Sequence, residues 1–413
     1  MNLIKTSFYT SISTAITFLS GFIIVKFVAV KIGPTGIALV GQFQNSTTIF
    51  TLIATAAVTM GVVKYLAQHR AEPEKVNKII STAFFIAFIS SIIISIAIMA
   101  SSLMLSKKVF HTSDYWLVYF LYGLLILTVA FNAIFSSILN GLKEIKWFTI
   151  INICTSLLGV CFTVIGAYFF DVIGVLLSGT ATAFVVFLIN IYAFRNLRIQ
   201  WYPFHSSFDK ETIKILSRFS LMAAISGFLT PAVQILIRDK IINNYGMVEA
   251  GYWQAVTKIS DYYLGFIVSV LSVYYMPRLS EITQKKELRK EIVSGYKIIL
   301  PVVGAIAFFI WLFRHLVMKI LFTADFFPME PLFKFQLLGD FFKIGSWLLA
   351  YTLIAKAMTK AFIITEIIFS LSYLALSIIL INHFGIIGAT YSFCINYALY
   401  WVIMFIVVRN RIK

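Results

Sequence analysis

Apolar stretches of about 20 residues recur along this chain with only short polar connections between them, and a stretch of that length crosses a bilayer as a helix. The mean hydropathy is +0.92, and only 12% of the residues are charged. That composition leaves too little polar surface to cover a water-soluble globule. The stretches are too long, and alternate too little, for the strands of a membrane barrel. In lipid each spanning segment must satisfy its own backbone, so the fold class is all-α integral membrane. Twelve transmembrane helices are expected, at 7–31, 37–66, 79–104, 116–140, 147–170, 172–194, 217–238, 248–276, 293–318, 334–356, 361–382 and 386–408. Little of the 413 residues remains for a separate soluble domain.

Twelve spans put both termini on one side. Most of the 34 Lys and Arg residues fall in connections on that side, among them Lys64, Arg70, Lys143, Arg195, Arg289 and Arg409. Fewer flank the opposite side, including Lys31, Lys107, Arg238 and Arg314. The excess of positive loops on one side places both termini in the cytoplasm and the chain, multi-pass, in a bacterial inner membrane. It also accounts for the net charge of +17, so nucleic acid is not an expected partner. The apolar run after Lys5 ends without a small-residue cleavage site and reads as a retained first span. Cys154, Cys161 and Cys394 all lie within spans and read as packing residues.

The sequence repeats. Gly36, Gly41 and Gln44 recur as Gly246, Gly251 and Gln254 at an offset of 210, and Tyr65 recurs as Tyr275. Gly174 and Ser178 recur as Gly388 and Ser392 at an offset of 214. Two parallel six-helix lobes follow, an N-lobe at 1–194 and a C-lobe at 217–413. Transporters built this way hold substrate between their repeats. The connection at 195–216 joins the lobes. Its Trp201, Tyr202 and Phe204 suit an interfacial segment, with a short helical pattern opening at Asp209. A second connection, 277–292, reads as an amphipathic, solvated stretch.

Several chemistries have no sequence support. There is no G-x-x-x-x-G-K-[ST] phosphate loop, H-E-x-x-H or G-x-S-x-G, and the five histidines lack metal-ligand spacing. The loops are too short for a catalytic platform outside the bilayer. Neither an enzyme nor a cofactor or metal site is expected.

Charges inside the spans are the functional signal, since an ionisable group at membrane depth is costly and normally faces a wet pathway. Lys26 in span 1 either snorkels to the interface or faces a central cavity. Gln42 and Asn45 in span 2 share a face and serve as packing contacts or cavity lining. Span 8 carries Lys258 and Asp261, and span 10 carries Asp340 and Lys343, each pair at i, i+3. Each pair is either self-neutralised or opens toward an anionic group. Asp261, Asp340 and Glu366 are candidates for ion coupling. Lys64, Lys356 and Lys360 lie at cytoplasmic span ends, as entrance residues or as ordinary topogenic lysines. Lysines in a cavity favour an anionic substrate such as a phosphate. Trp253 and Trp347 are candidates for stacking on a sugar or for packing.

The run Gly251, Trp253, Gln254, Lys258, Ser260, Asp261, Tyr263, Leu264 resembles span 8 of the Wzx-type lipid-linked oligosaccharide flippases. Gln336, Gly339, Asp340, Lys343 and Gly345, followed by Ala355 and Lys356, resemble their span 10. Phe219, Leu221, Met222 and Pro231, with Pro277, Leu279 and Ser280, fit the same pattern, and the likeness runs the length of the chain. It implies the multidrug/oligosaccharidyl-lipid/polysaccharide exporter fold, two six-helix lobes forming a V around a central cavity. It implies an undecaprenyl-diphosphate-linked oligosaccharide as substrate, an O-antigen or enterobacterial common antigen unit, carried to the periplasmic leaflet by alternating access. Lys26, Gln42, Asn45, Gln254, Lys258, Asp261, Asp340 and Lys343 would then form the transport site. Membrane lipids, and the polymerase and chain-length proteins of such a pathway, are the implied partners. A cation-coupled multidrug exporter of the same fold is the alternative.

Overall fold

The computed structural model describes the backbone of residues 3–197, 199, 210–356 and 358–412, which are almost entirely helical. The helices are α1 (Leu3–Ala54), α2 (Thr59–Gln68), α3 (Pro73–Ala100), α4 (Ser102–Phe110), α5 (Trp116–Gly141), α6 (Ile145–Asn196), α7 (Lys210–Tyr245), α8 (Met247–Val270), α9 (Met276–Glu281), α10 (Lys285–Leu312), α11 (Arg314–Leu321), α12 (Leu332–Ala355), α13 (Thr359–Phe384) and α14 (Ile387–Ile412). A π-helical turn at Leu271–Tyr275 joins α8 to α9. Eight helices among the described residues are long and apolar enough to cross a membrane. Their outward faces carry large apolar side chains such as Ile93, Phe169 and Phe405. Lipid accommodates such faces and water does not.

Two of these eight helices are broken by a kink in mid-course. Residue Gly33 breaks α1 with φ 76° and ψ −163°, and Asp171 breaks α6 with φ 45° and ψ −129°. Each is long enough for two spans. Gly246 before α8 (φ 94°, ψ 173°) and Gly385 before α14 (φ 68°, ψ −153°) share this conformation. The internal repeat thus appears as geometry. Asp171 and Gly385 differ by 214, the offset read from Gly174 and Gly388. Beside the first turn, Thr163 Oγ1 donates to Ser178 Oγ at 3.1 Å. Beside the second, Ser377 and Ser392, each 214 residues later, share a hydrogen bond of 2.7 Å. An added Cβ at Gly174 would sit 2.1 Å from the Gly166 carbonyl, and one at Gly388 2.1 Å from that of Leu380, so both hairpins close backbone on backbone. At the other turn the register shifts: Gly33, not Gly36, is the conformational counterpart of Gly246.

Several expected spans are interrupted. The stretch 37–66 breaks between α1 and α2, where Ala56 and Ala57 both take positive φ. The stretch 79–104 breaks at Ser101, between α3 and α4. The span expected at 293–318 is instead α10, which begins at Lys285 and ends at Leu312; the residues after it form the separate α11. Arg314 pairs with Glu330 at 2.8 Å there, which suits a polar helix end rather than a continued span. The connection 277–292 is therefore α9 plus the first turns of α10, with Pro277 in the first turn of α9, where no backbone N–H is needed. The helical pattern after Asp209 is the start of α7. Trp201, Tyr202, Phe204 and Asp209 lie outside the described residues. The three cysteines are free.

The chain divides into two compact units, Met1–Ile32 with Gln42–Ala232, and Gly33–Gly41 with Val233–Lys413. The first is built on an aromatic core in which Phe84 meets Phe131 and Phe135 edge-on at 5.1 and 4.9 Å, and Phe135 meets Phe194 at 4.4 Å. Polar bonds run through it as well: Asn190 donates to Asn132 at 3.0 Å, and Asn132 to the Ala183 carbonyl at 2.7 Å. In the second unit Ala38 packs with Ile237, Ile241, Trp253 and Ala389. Gly251 lies against Pro34, and Gly41 against the Gln254 side chain.

Candidate functional site

Helices α7, α8, α12 and α13 bring six charged residues together inside the second unit. Asp340 on α12 is fully buried. Ser260 Oγ and the Tyr263 hydroxyl, one turn apart on α8, donate to its Oδ2 at 2.6 and 2.7 Å. Gln336 Nε2, one turn earlier on α12, reaches Oδ1 at 3.4 Å. Short O–H···O bonds to a carboxylate are charge-assisted and stronger than bonds between neutral groups, which offsets the loss of water around Asp340.

Lys343 is held differently. Asp340 and Lys343, at i, i+3, interact electrostatically, but among the described residues they make no direct ion-pair contact. The Lys343 ammonium instead lies over the rings of Trp347 (4.9 Å), Tyr397 (5.5 Å) and Phe393 (5.6 Å). Ring faces attract a cation without neutralising it. Gly339 makes room for this cage, since an added Cβ there would meet the Phe393 ring at 2.4 Å. Glu366 on α13 lies close enough to Lys343 to interact electrostatically.

The span 8 pair does form, loosely. Lys258 Nζ lies 3.9 Å from Asp261 Oδ2, with the carboxylate half-exposed and the lysine side chain 23% exposed. Behind it sits Arg238 of α7, at 0% exposure. Sequence reading counts Arg238 among the residues flanking a span. The structure corrects this: α7 continues to Tyr245, and the guanidinium packs over the Trp253 ring at 5.3 Å and donates to Gln254 Oε1. Arg238 also interacts electrostatically with Lys258. Among these six residues three positive charges meet three negative.

Of the remaining candidates one joins the cluster. Gln254 is buried against Arg238. Lys26 and Asn45 are half-buried and Gln42 is fully buried, all in the first unit. Lys64 and Lys360 are exposed. Lys356 is half-buried and its ammonium donates to the Ile282 carbonyl, fastening the end of α12 to the end of α9. Sequence reading missed the partners Ser260, Tyr263, Phe393 and Tyr397. One signal was available: Ser260 and Tyr263 are three residues apart and Phe393 and Tyr397 four, so each pair shares a helix face.

A helical membrane fold with an internal repeat and a balanced cluster of buried charge describes a transporter-like membrane protein. Solved structures share the fold: a MATE family multidrug transporter of the MOP superfamily, in an inward-facing conformation, superposes with TM-score 0.81 at 15% identity, over 96% of this chain and 94% of that one. A second, "MATE in the straight conformation", gives TM-score 0.71 at 17% identity, over 99% and 95%. At such identities the likeness is one of fold alone. The chain belongs to the polysaccharide biosynthesis protein family, whose profile matches residues 3–283. It is 29% identical over 415 residues, covering 100% of both chains, to the Lipid III flippase of Escherichia coli (strain K12) and likewise to that of Shigella flexneri.

Proposed function

We propose that this protein is an inner-membrane flippase that carries an undecaprenyl-diphosphate-linked oligosaccharide from the cytoplasmic to the periplasmic leaflet. The full-length similarity to Lipid III flippases carries this reading. Twelve spans in two six-span lobes, 1–194 and 217–413 joined through 195–216, would work by alternating access, with both termini cytoplasmic. Lys343 and Lys258 receive the diphosphate or an acidic sugar. The cage of Trp347, Phe393 and Tyr397 supports this role, because rings hold the Lys343 ammonium in place and leave its charge for an anion. Asp340 and Asp261 set the field around those lysines, and Lys26, Gln42 and Asn45 are further transport residues on α1.

The test is reconstitution in liposomes with a fluorescent polyprenyl-diphosphate oligosaccharide, following access of the headgroup to an impermeant quencher. Acceleration over empty liposomes, lost in Lys343→Met and kept in Lys360→Ala, supports flipping at this cluster. Equal activity in both variants would overturn the site. A cation-coupled drug exporter of the same fold is the second reading, with the carboxylates Asp261, Asp340 and Glu366 as its cation-binding groups. Export of a cationic dye without acceleration of any glycan lipid would establish it instead.

A further inference from the structure

A cleft of about 520 Å³ opens between α10, α12 and α14, lined by Arg289, Ile292, Val293, Tyr296, Leu349, Phe405, Val408 and Arg409. Its walls are aliphatic and aromatic. Its two cations lie near the start of α10 and the end of α14, where helices leave the hydrocarbon, and both are exposed. The inner wall is a fixed assembly. Tyr296 donates to the Gly345 carbonyl at 2.6 Å, accepts from Trp401 Nε1 at 2.8 Å, and stacks on that indole at 6.0 Å. Gly345 allows this, because an added Cβ would meet Trp401 at 2.7 Å.

We propose that this cleft is a binding site for an anionic phospholipid of the surrounding leaflet, with the phosphate between Arg289 and Arg409 and an acyl chain along Ile292, Val293, Leu349 and Phe405. Charge and shape are complementary in the same place. Guanidinium groups pair with phosphate oxygens through several parallel hydrogen bonds, and basic pockets between helices at headgroup depth select anionic lipids. The cleft is separate from the buried charge cluster. Leu349 follows Asp340 by nine residues on α12, about two and a half turns, so it faces the opposite way. A lipid seated here would tie α10 to α14 across the back of the helix that carries Asp340 and Lys343.

The full-length protein, purified in detergent, is incubated with equimolar phosphatidylglycerol and phosphatidylcholine, and the retained lipid is counted by native mass spectrometry. Phosphatidylglycerol is expected to be retained several-fold over phosphatidylcholine. The double variant Arg289→Gln/Arg409→Gln is expected to lose that preference, and Arg289→Lys/Arg409→Lys to recover part of it. Both arginines are exposed, so an unchanged thermal unfolding midpoint in lipid-free detergent is expected to accompany the loss. Equal retention of the two lipids by the native protein, or undiminished preference in the glutamine variant, would overturn the proposal. So would full displacement of phosphatidylglycerol by an equimolar amount of inorganic phosphate or of undecaprenyl diphosphate, which would make the cleft a general phosphate site or a substrate site.

Discussion

Asp171 occupies a backbone conformation that glycine fills at the other three turns. At φ 45° and ψ −129° its Cβ is strained, and Gly385 meets the same demand without one. A residue held in such a region costs roughly 1–3 kcal/mol, partly offset by the greater unfolded-state freedom of glycine. Asp171→Gly is therefore expected to stabilise the protein by about 1 kcal/mol, seen as a higher thermal midpoint in detergent, and Gly385→Ala to lower it. A midpoint unmoved by either change would mean the turns relax freely. Asp340 gives a second expectation at this scale. Ser260→Ala and Tyr263→Phe each remove one donor from a buried carboxylate, at about 1–3 kcal/mol. Because both bond the same Oδ2, the double change should depart from the sum of the singles, and strict additivity in a double-mutant cycle would show that the two bonds are independent.

Helices in this protein approach one another through glycine, and what faces each glycine decides what a substitution costs. At Gly251 an added Cβ would lie 2.1 Å from the Pro34 carbonyl, and backbone cannot step aside. At Gly41 the obstacle is the Gln254 side chain, at 2.5 Å, which can shift where backbone cannot, at the expense of its bond from Arg238. Gly251→Ala is expected to cost about 1–3 kcal/mol through overpacking, with Gly41→Ala costing less, as read from unfolding midpoints of the two variants. The reverse order would mean that Gln254 is pinned by Arg238 more firmly than the Pro34 backbone is by its helix.

The second compact unit is completed by residues distant in sequence. Gly33–Gly41 belongs to it, supplying Pro34 against Gly251 and Ala38 beside Trp253. A fragment of residues 217–413 lacks that segment. Expressed alone it should be less stable and more readily degraded in membranes than when co-expressed with 1–216. Equal accumulation and equal protease resistance under both conditions would show that the segment is dispensable. The turns at Asp171 and Gly385 thus repeat in pattern, yet the second compact unit is not closed without a piece of the first half of the chain.

Sequence alone determined what depends on local regularity. Apolar run length established helices in a membrane. Paired Gly174/Gly388 and Ser178/Ser392 marked the repeat, because a hairpin that closes backbone on backbone needs small residues at fixed spacing. Lys258, Asp261, Asp340 and Lys343 stood out because charge is rare in such runs. The Lys258–Asp261 pair follows the i, i+3 spacing, but the tertiary structure decided whom Asp340 and Lys343 meet. Asp340 bonds across to α8 and Lys343 to rings of α12 and α14, whereas the i, i+3 spacing had offered each to the other. Arg238 reads as a flanking cation until α7 is seen to run on to Tyr245 and carry it inside. Helix spacing fixes which residues share a face, but the partner of a face is set by packing between helices far apart in the chain, where burial makes an available hydroxyl or ring preferable to water.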